Sequence, residues 1–196
     1  MGSVTMDDSE YWRKVIALFN KGYAGIFNHQ RGVVEKHEME RGVALEWIKA
    51  SSLEFGCSFS GLEHGADPPD FTTIMNGQKV SVELVQFVNE GHKKRSIKGE
   101  SAYHGKLFQD MQWTKLRFLT ELQRTIRKKE EQYLEAMIKI DMLVIHSSET
   151  WLSAGDVDSW LAAFEYSGFR NIQSVFLLLD YQPGWSQDHW PVFKVF

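Results

Sequence analysis

The strongest constraint on the fold is the dipeptide Asn76-Gly77, which separates two segments rich in Thr, Val, Ile and Phe. Asn-Gly favours a two-residue turn, because both central positions of that turn take positive φ angles. The flanking segments, Phe71 to Met75 and Lys79 to Phe87, have the composition of β-strands. The sequence therefore predicts an antiparallel hairpin with its tip at residues 76 and 77.

This hairpin determines which residues face each other. A two-residue loop pairs Met75 with Gln78, and the same register places Asp70 directly opposite Glu83. Like charges in that position repel. A divalent cation is the simplest compensation, because hard ions such as Mg²⁺ accept carboxylate oxygens. Asp70 and Glu83 are thus a candidate metal site.

Side chains alternate along a strand, so the register also divides the hairpin into two faces. One face is predicted to be polar and carries Asp70, Thr72, Ile74, Lys79, Ser81, Glu83 and Val85. The other is predicted to join the core and carries Phe71, Met75, Val80, Val82 and Leu84.

Hydrophobic periodicity places further elements around the hairpin. Helices are predicted near residues 11–20, 34–53 and 105–139, and a shorter helix is predicted to begin at Ser153 or Asp156 as its cap. Strands are predicted at 142–146, at 172–179 and, at an edge, at 191–196. The order predicts one α/β domain over residues 1–196, with an N-terminal helical extension (1–30), a core (34–146) and a C-terminal helix and strands (150–196).

Composition restricts the class of protein. Lys and Arg total 22 against 26 acidic residues, for a net charge of −4, so nucleic acid could bind only at a local basic patch. The single Cys57 excludes an internal disulfide and fits a reducing compartment. Apolar runs are too short to span a bilayer. We therefore expect a cytoplasmic protein with no membrane partner.

Pro69-Asp70, twelve intervening residues and then Glu83 resemble the first two parts of the PD-(D/E)XK nuclease motif. The order of elements is similar too, with a helix that supplies an acid, the motif hairpin, another helix and another strand. The resemblance implies an α/β, restriction-endonuclease-like three-layer core, with a central mixed β-sheet flanked by helices and a C-terminal β-hairpin extension. It implies a nuclease that hydrolyses phosphodiester bonds with a water activated by Mg²⁺ or Mn²⁺.

The resemblance also implies a lysine two residues after the glutamate, where this chain has Val85. Some such members recruit a lysine or another polar residue from a neighbouring element, and others have lost catalysis. Lys115 and Lys106, in the predicted helix after the hairpin, are the preferred substitutes. Lys79 and Gln112 are the alternatives.

The acid implied upstream of the motif has several candidates in the helix before the hairpin. Glu40 borders the apolar stripe of that helix and is the preferred third metal ligand. The alternatives are Glu35, Glu38, Glu46 and Glu54.

Two basic clusters could contact phosphate. The segment from His92 to Lys98 follows the second hairpin strand, and its cations are expected to hold a nucleic-acid backbone: Lys93, Lys94, Arg95 and Lys98. The second cluster is interleaved with glutamates and is predicted to be a solvated helix face: Arg124, Arg127, Lys128 and Lys129.

The leading hypothesis is therefore a metal-dependent nuclease with Asp70 and Glu83 at its catalytic centre. Nucleic acid is the expected partner, with DNA favoured over RNA, and a homodimer is compatible with the resemblance. The alternative is a catalytically inactive module of the same fold that binds nucleic acid or a protein partner. Val85 and the acidic net charge motivate that alternative.

Overall fold

A computed structural model describes residues 33–89, 94, 98, 112–149, 151–162, 168–182 and 184–196. Within these residues the chain forms three helices and six strands. In chain order they are α1 (Val33–Phe55), β1 (Phe59–His64), β2 (Phe71–Met75), β3 (Gln78–Gln86), α2 (Lys115–Ala136), β4 (Ile140–Ser147), α3 (Ala154–Leu161), β5 (Ile172–Leu179) and β6 (Val192–Lys194). The helix predicted near residues 11–20 lies outside the described residues.

The six strands form one mixed sheet in which the spatial order follows the chain order from β1 to β6. The central strands β3, β4 and β5 are parallel, and the remaining neighbours are antiparallel. Parallel neighbours need crossover connections, and helices α2 and α3 lie in the two crossovers. The predicted α/β class with a central mixed sheet is confirmed, and β6 is the predicted edge strand.

The β2–β3 hairpin has the predicted register. Asn76 and Gly77 both take positive φ angles, of 50° and 82°. Met75 pairs with Gln78, and Phe71 pairs with Val82 at the far end. The next position outward places Asp70 opposite Glu83, so the local chemistry of the turn determines the geometry of the carboxylate pair.

Helices cover both faces of the sheet. Helix α1 packs on one face, where its residues Val43 and Trp47 join a buried cluster with the strand residues Phe71, Val82 and Val144. Helices α2 and α3 cover the other face in a second cluster, which includes Phe118, Leu122, Ile126, Leu143, Ile145 and Leu177.

The hairpin face predicted to be polar is therefore not open to water along its whole length. Val85 packs against the cluster beneath α2. Glu83 is only 5% exposed. The face predicted to be polar is therefore covered at these two positions, because α2 lies over the carboxyl end of β3.

Two further differences have local causes. Strand β1 was not predicted, because Gly61 (φ 61°) and a register shift between Ser60 and Glu63 interrupt the alternation of polar and apolar residues. The described helix α2 begins at Lys115, and residues 105–111 of the helix predicted over 105–139 lie outside the described residues. Thr114 caps it there, with a side chain that accepts the N–H of Arg117 at 3.3 Å.

The third described helix begins as predicted. Ser153 caps α3, and its hydroxyl accepts the N–H of Asp156 at 3.1 Å. No helix among the described residues is long and apolar enough to cross a membrane.

Candidate active site

Asp70 and Glu83 lie beside each other at the end of the hairpin. Asp70 immediately precedes β2, and its Oδ2 accepts the backbone N–H of Leu84 at 2.8 Å. This bond ties the aspartate to the strand that carries Glu83. The register and the hydrogen bond together bring the two predicted motif acids into one place.

A cleft of about 340 Å³ surrounds the pair. Helix α1 contributes one part of its lining, helix α2 another, and the ends of β3 and β4 lie between them. The lining residues are Lys36, Glu40, Val43, Asp67, Asp70, Glu83, Leu84, Val85, Gln86, Lys129 and His146. The cleft thus lies near the carboxyl ends of the central strands, where open α/β sheets commonly bind ligands.

The loop before β2 holds Asp70 in position through its own backbone. The N–H of Gly65 donates to the carbonyl of Asp70 at 2.8 Å, and the N–H of Asp67 donates to the carbonyl of Pro69 at 3.1 Å. A Cβ added to Gly65 would lie 2.0 Å from the Pro69 carbonyl oxygen. Only glycine fits at this position without displacing the loop.

Lys129 is the cation that contacts the carboxylate pair. Its Nζ donates to Glu83 Oε1 at 2.8 Å, and the two side chains are 22% and 6% exposed. The interleaved charges predicted a solvated face for Lys129, and this prediction is wrong, because its side chain is largely covered beside Glu83. The missed signal is its spacing, since Leu122, Ile126, Lys129 and Tyr133 follow one helical stripe.

The second oxygen of Glu83, Oε2, is buried close to the buried hydroxyl of Tyr133. Burial, the charge of the Glu83 carboxylate and a side-chain hydrogen bond to it raise the pKa of Tyr133. Tyr133 is therefore the protein donor for this side of Glu83, and a cation that entered the cleft would compete with it for the carboxylate.

The pKa of Asp70 reflects its burial and the negative charges of its neighbours. Burial raises its pKa to about 6, and the carboxylates of Glu83, Glu40 and Asp67 add to that effect. The N–H of Leu84 acts in the opposite direction but does not offset it. Ionisation of Asp70 is therefore less favourable than in water, and a further positive charge in the cleft would make it more favourable.

Two carboxylates in the cleft are suitable ligands for a divalent metal. Among the described residues, no group of three or more His, Cys, Asp or Glu side chains is arranged to hold an ion. Glu40 lines the cleft, but its Oε1 lies 3.3 Å from Lys36 Nζ. Mg²⁺ is commonly bound through one or two carboxylates with waters and phosphate. The carboxylates of Asp70 and Glu83 fit that mode.

The preferred lysine substitutes do not lie beside Glu83 in the described structure. Lys115 is exposed at the first position of α2, about 21 Å along the helix axis from Lys129. Lys79 is exposed near the turn end of β3, and Gln112 is exposed before α2. Lys106 lies outside the described residues.

The predicted phosphate-binding segment is described only in part. Lys94 and Lys98 are exposed, and the N–H of Lys98 donates to the carbonyl of Lys94 at 3.4 Å. Lys93 and Arg95 lie outside the described residues.

The fold and the site together define a class of protein: an α/β domain with a mixed sheet and a carboxylate-lysine cleft near the carboxyl ends of its strands. The chain matches no protein family, no curated protein and no solved structure. The geometry of the cleft is therefore the basis for inferring its function.

Proposed function

We propose that this chain is a metal-dependent nuclease of the PD-(D/E)XK type in which Lys129 takes the place of the motif lysine. The observation that carries the proposal is the 2.8 Å contact between Lys129 Nζ and Glu83, in the cleft that also holds Asp70. The order of α1, the β2–β3 hairpin, α2 and β4 is compatible with a restriction-endonuclease-like core. The antiparallel β5–β6 pair would then be its C-terminal extension.

Asp70 and Glu83 would hold Mg²⁺ or Mn²⁺, with Glu40 as a further acid in the lining of the cleft. The four carboxylates that line the cleft and the raised pKa of Asp70 both support a cation here, because a positive charge would relieve the repulsion among them. Such an ion supplies an activated water and neutralises charge on a phosphodiester.

Lys129 would act on the phosphate rather than on the metal. Its ammonium group is held at the inner wall of the cleft by Glu83, and 22% of the side chain is still exposed. A fixed ammonium there can stabilise the negative charge that develops on phosphate oxygens during hydrolysis. Val85 cannot contribute, because its side chain packs under α2.

Nuclease assays test this proposal directly. Single-stranded DNA, duplex DNA and RNA would be incubated with Mg²⁺, with Mn²⁺ or with EDTA. We expect metal-dependent cleavage of at least one substrate, and a loss of about 100-fold or more for Asp70→Asn, Glu83→Gln and Lys129→Met. Lys128→Met is the matched control, because Lys128 is the exposed neighbour on the same helix. Folded wild type that cleaves none of these substrates would refute the proposal.

One observation favours a second candidate, the catalytically inactive module. Lys129 already neutralises Glu83 without any metal, and a structural ion pair of this kind could replace an ancestral ion. Calorimetric titration with Mn²⁺ separates the two candidates. The nuclease predicts binding that Glu83→Gln removes, whereas the inactive module predicts no binding by wild type and no cleavage.

A further inference from the structure

A second lysine, Lys36, enters the cleft from the α1 side. Its Nζ lies 3.3 Å from Glu40 Oε1, and its side chain is 41% exposed, compared with 22% for Lys129. Helices α1 and α2 cover opposite faces of the sheet. The two lysines therefore approach the carboxylate pair from different walls of the same cleft.

The charges that line the cleft explain why a second lysine is favourable there. Its lining contains four carboxylates, those of Glu40, Asp67, Asp70 and Glu83, against two lysines. When all are ionised, the cleft carries an excess of two negative charges and repels phosphate. One divalent cation removes that excess and leaves both ammonium groups available to an anion.

Lys36 lies against an acidic part of the cleft. Its Nζ is 3.3 Å from Glu40 Oε1, and Asp67 and Asp70 line the same cleft. A lysine is a compact charge on a flexible stem, so its ammonium can turn from one acceptor to another within reach. Glu40 is the acceptor in this structure, and a phosphate oxygen is a second acceptor within the cleft when substrate is present.

We infer that Lys36 binds a phosphate of the nucleic-acid strand at the α1 wall of the cleft, across from Lys129. This inference rests on the proposed function, which supplies the phosphodiester substrate. Lys36 is then a positioning residue that determines where the strand enters, whereas Lys129 serves the reacting phosphate. The competing interpretation is an ordinary surface ion pair between residues one helical turn apart, which would have no effect on nucleic-acid binding.

Binding can be measured apart from hydrolysis in the wild-type protein with Ca²⁺ in place of Mg²⁺ or Mn²⁺, because Ca²⁺ also binds carboxylate oxygens, with the oligonucleotide checked on a gel for cleavage. Fluorescence anisotropy with a labelled single-stranded oligonucleotide would compare wild type with Lys36→Met under these conditions. We expect the substitution to weaken binding on the order of fivefold at low salt, and to reduce the slope of log affinity against log salt by about 0.7. Lys36→Arg should retain both values.

Lys49→Met is the matched control for this experiment. Lys49 is exposed on the same helix, about 20 Å along the axis from Lys36. Its replacement should leave affinity and salt slope unchanged. If Lys49→Met weakens binding as much as Lys36→Met, the effect belongs to the general charge of α1 and the inference is overturned.

Kinetics of the otherwise wild-type protein give a second readout. Lys36→Met should raise KM about fivefold with kcat nearly unchanged, whereas Lys129→Met should lower kcat. Cleavage by wild type with an unchanged KM in Lys36→Met would overturn the inference and leave the proposed function standing. Absence of cleavage by wild type would overturn the proposed function, and the anisotropy result would then decide whether Lys36 binds phosphate. If no oligonucleotide binds or is cleaved, both fail.

Discussion

Asp70→Asn should make the metal-free protein more stable at pH 8, although it removes a residue at the centre of the site. The substitution deletes one charge from a group of neighbouring carboxylates. The amide oxygen of asparagine can still accept the N–H of Leu84, which Asp70 Oδ2 accepts at 2.8 Å. The repulsion is therefore removed while the hydrogen bond is retained.

The pKa of Asp70 gives the magnitude. It rises from the ordinary value of 3.8 to about 6. At about 1.4 kcal/mol for each pH unit, ionisation of Asp70 costs the folded state at most about 3 kcal/mol. Solvent screening reduces this figure because the side chain is partly exposed, so we expect a gain of roughly 1–3 kcal/mol in the variant. For a chain of this size that is roughly 2–12 °C in Tm.

The gain should depend on pH with a definite sign. The folded protein holds the Asp70 proton more tightly than the unfolded chain does. This contribution to wild-type stability is therefore fully present below pH 3.8 and is lost as pH rises through about 6. Burial raises the pKa of Glu149 to about 7 and gives the same trend, but it does so in both proteins. The difference between them isolates Asp70.

Urea unfolding in EDTA at pH 4, 5, 6 and 8 would measure that difference. It should be small at pH 4, grow through pH 6 and level off by pH 8. Asp158→Asn is the control, because Asp158 is exposed on α3, and its effect should stay within about 0.5 kcal/mol. A variant less stable than wild type at pH 8, or a gain that does not change with pH, would refute the reasoning.

Three other substitutions or additions test the same site. Mn²⁺ at a hundredfold excess over its Kd should stabilise wild type by about 2.7 kcal/mol in thermal melts, and it should not stabilise Asp70→Asn. Lys129→Met should destabilise the metal-free protein by roughly 2–4 kcal/mol, because it leaves a buried carboxylate unpaired, and Mn²⁺ should recover much of that loss. Lys128→Met should leave the stability of the metal-free protein unchanged. If Lys128→Met and Lys129→Met destabilise it equally, the ion pair between Lys129 and Glu83 is not the cause of the loss. Gly65→Ala should lower stability by roughly 1–3 kcal/mol and reduce cleavage, since its Cβ would meet the Pro69 oxygen at 2.0 Å. Wild-type unfolding curves and activity in that variant would show that the loop tolerates the change.

Local chemistry explains which parts of the site could be predicted. An Asn-Gly turn fixes the pairing of its own strands, so the register that opposes Asp70 and Glu83 follows from residues adjacent in sequence. Glu40 could be favoured because it borders an apolar stripe, and it does line the cleft. Strand β1 could not be found in the same way, because its bulge removes the alternation that identifies a strand.

Lys129, the lysine proposed for this site, was missed because the position of its side chain depends on how α2 packs against the sheet. Which turn of α2 lies over Glu83 depends on where the helix begins and how it packs on the sheet. With Thr114 as its cap, α2 places Lys129 rather than Lys115 beside the carboxylate. The charged residues on either side of Lys129, Lys128 and Glu130, are typical of a solvated helix face.

Under the proposed function, Lys129 on α2 takes the role of a lysine at position 85 on β3, and there is a physical reason for this. A lysine at position 85 would have its stem and charge under α2, where Val85 packs against apolar side chains. Burying an ammonium group there would require a partner and would cost core packing. A lysine on α2 reaches the same Glu83 while part of its side chain stays in water. The apolar residue at 85 and the lysine at 129 are therefore complementary, and under the proposed function the valine at 85 does not by itself indicate a lost site.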